Sequence, residues 1–388
     1  MTKVINVLQL IDSFDQGGSE QQAVQLTRLL KRSGRYDVHV ACLSKRGTLR
    51  SKLEEIGFTD IPEFPLDSFY DRNAVKQVRR LAAFLRELQI SVVHTHDFYT
   101  NIFGMAASAL AHVPVRIASR RESGKRSSHK RTVERGAYRL AHAVVANCEV
   151  VRQQLIDEGV PPDKVVTIHN GLEKEHFFDR KSDRETVLRK FGLPTGKGLR
   201  FVTSVANLRD VKDYPTFLRA AAKVRSSIPD SAFLIAGEGQ MLDSLRCLAQ
   251  ELELKDEVFF LGRCDSTTEL LSLSEVCVLS SRSEGFSNSI LEYMAAARPV
   301  VATDVGGARE AVTEDETGFL VAAGDHEKMA ACIISLLREP ERARSMGERG
   351  RERAKQKFSS EARLCKSETL YEQLLSNPKT SARLSLVI

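Results

Sequence analysis

Ser281-Arg282-Ser283-Glu284-Gly285-Phe286-Ser287-Asn288-Ser289-Ile290-Leu291-Glu292-Tyr293-Met294-Ala295 follows a short apolar run, Val276-Cys277-Val278-Leu279, and leads into an apolar helical pattern over residues 290–297. The run has the length and composition of a buried parallel strand, so the chemistry sits on a strand-to-helix turn. Ser287 or Asn288 can cap the helix, which leaves backbone N–H groups aimed at whatever occupies the turn. Such a terminus favours an anion, most simply a phosphate. Glu292 falls in the first turn on the face of Asn288, and Glu284 stands across the loop mouth, so two carboxylates flank one anion site. Carboxylates repel phosphate, and both are therefore expected to accept hydrogen bonds from neutral hydroxyls of a sugar or ribose. The plainer alternative is a capped helix with two solvated glutamates.

A chain of 388 residues is long for one core and suggests two or three domains. No run approaches the roughly 18 apolar residues of a membrane span, and the first strand, Val4-Ile5-Asn6-Val7-Leu8, starts without a basic-then-apolar leader, so a cytoplasmic location is expected. Seven scattered cysteines, none in Cys-x-x-Cys spacing, read as reduced core residues. A net charge of +6 is too small to indicate nucleic acid by itself.

Outward from the central stretch, the same pattern repeats. Residues 4–11 form a strand that ends at Gly17-Gly18, before a helical pattern over 21–30; the glycines let backbone approach a ligand or adopt positive φ, and the helix offers its N-terminus. No third glycine follows to complete a dinucleotide fingerprint, which excludes the usual dinucleotide oxidoreductase. Ile90-Ser91-Val92-Val93-His94-Thr95-His96-Asp97 reads as a strand with His94 and His96 on one face near its carboxyl end, where open parallel sheets gather ligands. No Cys or third His lies near them in sequence, so no metal is expected there. A basic segment over 116–139, including Arg120, Arg121, Lys125 and Arg126, reads as an electropositive rim for anionic head groups or a pyrophosphate-linked acceptor; aromatic residues are too sparse in it for nucleic acid.

In the second half, the strand 199–205 leads into Asn207-Leu208-Arg209-Asp210-Val211-Lys212, where cationic side chains and helix N–H groups can converge on phosphate. Further apolar runs end at Gly237-Glu238-Gly239 and at Gly262-Arg263. Alternating strands and helices in both halves imply parallel, doubly wound sheets.

Taken together, Gly17-Gly18, His94-x-His96, Asn170-Gly171, Leu208 to Lys212, Gly237-Glu238-Gly239, Phe260-Leu261-Gly262, Glu284 to Glu292, Pro299 to Glu310 and Thr317-Gly318-Phe319 resemble the retaining glycosyltransferases of family 4 over nearly the whole chain. The resemblance implies an α/β GT-B fold, with two Rossmann-like doubly wound domains facing a cleft. It places an acceptor domain at 1–180, a hinge at 181–198, a donor domain at 199–358, a helix crossing back at 359–376 and a flexible tail at 377–388. By position it implies that Glu284 holds donor-sugar hydroxyls, Glu292 the ribose and Lys212 the diphosphate. Main-chain groups of Gly285, Phe286, Ser287, Asn288 and Ser289 line sugar and phosphate, while Gly237 and Arg263 border the nucleotide. Gly17 and Gly18 lie under the diphosphate, and His96, less favourably His94, sits near the anomeric end. The family commonly carries Arg at the position of Asn207; Arg209 is expected to supply that charge.

The chemistry implied is retaining transfer from a nucleotide-diphosphate sugar, UDP being the commonest nucleotide, to a glycan or lipid-linked acceptor in cell-surface polysaccharide or glycolipid synthesis. No cofactor and no metal are expected, since no Asp-x-Asp occurs. The basic rim adds peripheral contact with an anionic membrane, and nucleic acid is not expected as a partner. Two alternatives are a GT-B nucleotide-sugar isomerase or epimerase, which would need no acceptor, and a catalytically silent nucleotide-sugar-binding scaffold.

Overall fold

The computed structural model describes residues 4–66, 71–124, 126–177, 183–196, 198–264 and 266–376. They form two compact units, one of Met1–Gly171 with Ser360–Ile388 and one of Leu172–Ser359.

The first unit is built on six parallel strands: β1 (Ile5–Ile11), β2 (Tyr36–Cys42), β3 (Val92–Thr95), β4 (Val115–Arg120), β5 (Ala143–Ala146) and β6 (Val165–Thr167), in the order β2-β1-β3-β4-β5-β6. Helices cover both faces, which is why the strands read as nearly continuous apolar runs. Val7, Leu26, Val92, Ile117 and Val145 share one core with Leu370, Tyr371 and Leu374 of the helix Ser360–Ser376. Each such side chain, fully buried, contributes about 1.5–3 kcal/mol. The helix Phe98–Leu110 starts with a complete capping box, Asp97 accepting from Thr100 N at 2.9 Å.

The second unit carries β7 (Arg200–Val205), β8 (Ser231–Ala236), β9 (Val258–Gly262), β10 (Ser274–Leu279), β11 (Val300–Thr303) and β12 (Gly318–Val321), in the order β12-β11-β10-β7-β8-β9. Counted within the unit this is the 3-2-1-4-5-6 order of doubly wound sheets, whose switch point lies between the first and fourth strands. Here those are β7 and β10, so the loops that leave their carboxyl ends flank the expected ligand crevice.

Residues 181–198 were expected to be a hinge. Among those described, the helix Arg184–Lys190 puts Val187 and Leu188 into the second unit's core with Phe201, Leu234 and Leu270. Their apolar side chains need that burial, so this segment is packed chain, and the division between units falls at Gly171 and Leu172. The expected tail, 377–388, lies outside the described residues.

Candidate active site

In the second unit the loops after β7 and β10 are tied together. The loop after β7 makes one turn, Asp210–Lys212, before Asp213 enters the left-handed region at φ 47° and the helix Tyr214–Ser227 begins. The buried Asp213 accepts from Thr216 Oγ1 at 2.8 Å and from Arg282 Nη2 at 3.0 Å. Arg282 N donates to Val211 O at 2.8 Å, and Ser280 Oγ donates to Lys212 O at 2.9 Å. These bonds hold Lys212 where it meets Glu284: Nζ lies 2.5 Å from Oε1, with Ser281 Oγ donating to the same oxygen at 2.5 Å. Lysine and glutamate are 21% and 12% exposed, so their charges answer one another in a partly desolvated site.

Two glycines fix this geometry. Gly237 follows β8 at φ 151°, and a Cβ there would stand 2.0 Å from Ala206 O. Its N–H donates to Gly262 O at 2.8 Å, which sets the exposed Arg263 beside the same loop. Gly306 follows β11 at φ 56°, where a Cβ would stand 2.2 Å from Glu284 O, and Gly307 N donates to Gly285 O at 2.7 Å. The main chain at Glu284 and Gly285 thus has no room to move toward β11.

Ser287, rather than Asn288, caps the helix Asn288–Ala295, accepting from Ile290 N at 3.5 Å. Ser289 Oγ donates to Val205 O at 2.7 Å, and Tyr293 OH accepts from Val205 N at 2.7 Å, which fastens this helix start to the end of β7. The Phe286 ring packs on Phe358 with centroids 5.1 Å apart, so its side chain is core and its main chain is what remains for a ligand. Burial raises the pKa of Glu292; His176 and a hydrogen bond with Thr267 oppose that shift. Asn207 and Arg209 are both exposed on the β7 loop.

The cavity of about 410 Å³ lined by Pro194, Arg225, Asp230 and Phe259 opens at the opposite, amino ends of β7, β8 and β9. It is remote from this chemistry.

Residues 16–176 match the family described as Glycosyltransferase Family 4, and residues 184–353 match Glycosyl transferases group 1. The chain is a family 4 glycosyltransferase. It is 32% identical over 233 residues to the N-acetyl-alpha-D-glucosaminyl L-malate synthase of Bacillus anthracis, a match over 59% of this chain and 60% of that relative, less than two thirds of its length. It is 27% identical over 274 residues to the Escherichia coli UDP-Gal:alpha-D-GlcNAc-diphosphoundecaprenol alpha-1,3-galactosyltransferase, covering 67% of this chain and 70% of the relative. The crystal structure of Anabaena HepE in complex with UDP superposes with a TM-score of 0.83 at 20% identity, over 95% of this chain and 100% of HepE. That likeness establishes the GT-B fold.

The first unit of the glycosyltransferase holds the other expected residues, and several differ from expectation. Gly17 caps the helix Gly18–Ser33 at φ −86°, a conformation open to any residue; what its missing side chain provides is room for the carboxylate of Glu20, since a Cβ would stand 2.0 Å from Oε2. His96 lies just beyond β3 and is only 1% exposed. Its Nε2 is 2.7 Å from Gln9 Oε1 and its Nδ1 faces Arg121 Nη2 at 3.5 Å. His94 stacks on it at 4.5 Å and bonds Tyr371 OH at 2.7 Å and Ser119 Oγ at 2.8 Å. Gln9 Nε2 donates to Tyr371 OH, which ties the two histidines into one network. For His96 the partners fix the assignment: Nε2–H donates to Gln9 Oε1 and Nδ1 accepts from Arg121, so the ring is neutral. Burial first, then Arg121 and Arg363 for His94, and His94, Arg121 and Arg363 for His96, hold both pKa values well below the usual range. His96 is therefore a neutral, engaged member of a buried network rather than an open acid or base.

This predicts a pH dependence. A neutral buried histidine leaves the unfolded chain binding the extra proton below about pH 6.5, so stability falls as pH falls. Asp97, pushed up to about 7 mainly by burial, acts in the opposite direction between its unfolded value and pH 7, so the wild-type profile alone does not isolate the histidine. Compared with wild type, His96→Asn should gain about 1 kcal/mol in urea unfolding between pH 6.5 and 5.5. Parallel profiles would show that His96 titrates alike in both states.

The electropositive rim is not formed by the arginines expected to form it. Arg120, with a fully buried side chain, is ion-paired to Glu158. Arg121, 9% exposed, donates to Asn170 Oδ1 at 2.9 Å and is pushed down to about 10 by burial. Arg126 pairs with the buried Glu134 and lies 5.0 Å over the Phe98 ring. Arg120 and Arg121 are buried against their partners and Arg126 is partly buried against Glu134; Lys125 is outside the described residues. Gln9, Arg363 and Tyr371 were missed, and no local pattern marks them.

Proposed function

We propose that the glycosyltransferase moves a sugar, with retention and without a metal, from a UDP-sugar to a glycan or lipid-linked acceptor in cell-surface polysaccharide or glycolipid synthesis at the cytoplasmic side of a membrane. The observation that carries this reading is the Lys212–Glu284 pair at the β7/β10 switch point, beside the capped start of the helix Asn288–Ala295. On donor binding the pair separates: Lys212, with Arg209 in place of a cation at Asn207, turns to the diphosphate and Glu284 to sugar hydroxyls. Glu292 accepts from the ribose, main-chain N–H groups of residues 285–289 meet phosphate and sugar, and Gly237 and Arg263 border the base. The first unit supplies the acceptor side, and adds Gly17 and Gly18 under the donor diphosphate and the His96 network near the anomeric end. UDP is supported by the UDP complex of HepE, and a lipid-linked acceptor by the name of the E. coli relative.

Chemically, the anomeric carbon–phosphate oxygen bond breaks and the acceptor oxygen bonds the same face. The acceptor's proton passes to the departing phosphate, so neither glutamate acts as nucleophile. Fixed cations and N–H dipoles stabilise the charge that develops on the leaving group.

The test is proton NMR of the product formed with excess EDTA. The reading predicts transfer at an undiminished rate with the donor's anomeric configuration kept. Inversion, dependence on added metal, or a changed nucleotide sugar without acceptor would refute it.

A further inference from the structure

The second unit begins with a short segment that is fixed at both ends to its helix Pro340–Lys357 and the residue that follows it. Leu172 N donates to Phe358 O at 2.9 Å, and Arg351 donates to Phe177 O. Between these ties a single tight turn, Lys174–Phe177, packs against the helix Asn288–Ala295. Lys174 and Glu175 are exposed while His176 and Phe177 are half-buried, so His176 lies on the side of the turn that meets this helix. Its backbone N donates to Glu173 O at 3.1 Å and its Nδ1–H to the same oxygen at 3.3 Å, which holds the ring on its own turn and leaves Nε2 free to take a proton. From the other side, Thr267 at the start of the helix Thr267–Ser272 hydrogen-bonds the Glu292 carboxylate. Glu292 is thus gripped between a histidine and a threonine that come from two different elements.

We propose that His176 is a positioning residue of the donor site, holding Glu292 as a carboxylate that can accept from the ribose and so extending nucleotide binding to lower pH. The inference rests on the reading of Glu292 as the ribose acceptor. Burial disfavours the ionised carboxylate, and a histidine that charges as pH falls supplies a cation just where protonation threatens. Among the described residues, His176 is the one charged group whose field acts on Glu292. The other charges on the elements packed against its helix are engaged elsewhere: Glu269 with Lys190, Arg309 with Asp304, Arg351 with Phe177 O, and Arg353 with the carbonyls of Glu310 and Ala311. Tyr293 and Cys277, on the same helix and on β10, are kept protonated by burial.

The test is UDP affinity by isothermal titration from pH 5 to 8 for wild type, His176→Asn, His176→Arg and Glu292→Ala, each ratio to wild type being taken at one pH so that the titration of UDP itself cancels. His176→Asn should match wild type at pH 8, where the histidine carries no charge, and bind up to about tenfold more weakly at pH 5. His176→Arg, a permanent cation, should restore the wild-type affinity at pH 5. Should His176→Asn not fold, His176→Gln gives the same comparison. A constant ratio to wild type at every pH, or a loss that arginine does not restore, would overturn the proposal and leave His176 a packing residue. Glu292→Ala separates this from the reading beneath it: weakened UDP binding there with an unaltered His176→Asn profile sinks the histidine's role alone, whereas wild-type affinity in Glu292→Ala sinks both.

Discussion

Lys212→Ala is expected to lower kcat for sugar transfer about 10²–10³-fold, the effect of removing one preorganised contact to charge that develops in the transition state. Lys212 is positioned for that task by contacts that do not depend on its own charge: Ser280 Oγ on its carbonyl, Arg282 on Asp210 and Asp213, and Gly237 behind Ala206. The variant should therefore keep its fold and lose its chemistry. The ligand-free pair adds a second consequence. Without the lysine, Glu284 keeps Ser281 but loses its cation, so a carboxylate faces the incoming diphosphate. Lys212→Ala/Glu284→Ala should then be less impaired than the sum of the single changes, since the residues act as one unit. Steady-state kinetics on the three variants measures this. Strict additivity would separate the two residues functionally, and an unchanged kcat in Lys212→Ala would remove the lysine from the reaction.

The second large effect is expected on binding. Glu292 is the fifth residue of the helix Asn288–Ala295, one turn in from its start, and its pKa is raised chiefly by burial. The protein thus holds this carboxylate where ionisation is disfavoured, a feature more typical of a ligand site than of a stabilising contact. Hydrogen bonds to a charged group contribute about 1.5–3 kcal/mol each, so losing its bonds to ribose hydroxyls should weaken UDP binding about 100-fold. Glu292→Ala should unfold at a temperature close to that of wild type, because its removal relieves a desolvated charge.

The strand-turn-helix units were legible because they rest on local physics: apolar runs of strand length, glycines where backbones crowd, and capping residues before apolar helices. The Glu284 to Glu292 loop and the Lys212 turn were found in this way and meet at the β7/β10 switch point. Side-chain fate was less legible. Arg120 reads as a surface cation until Glu158, 38 residues on, closes over it. His96 reads as a histidine at a ligand-gathering strand end, but Gln9 engages its Nε2, and His94 finds its partner Tyr371 277 residues away. Within the basic segment 116–139, Arg131, Arg135 and Arg139 stay exposed while Arg120 and Arg121 are buried, because exposure is decided by which face meets the sheet and not by charge density along the chain. The 181–198 segment misled for the opposite reason: its charged and Pro-Gly residues drew attention from Val187 and Leu188, which the core takes up.

The central claim is that the β7/β10 switch point binds a nucleotide-sugar donor through its two glutamates and Lys212. Isothermal titration of UDP in EDTA into wild type and Glu292→Ala tests it most directly. The account predicts one site per chain in wild type and affinity weaker by about 100-fold in the variant, with unfolding midpoints alike. Equal affinity in both proteins would contradict it and place the nucleotide elsewhere.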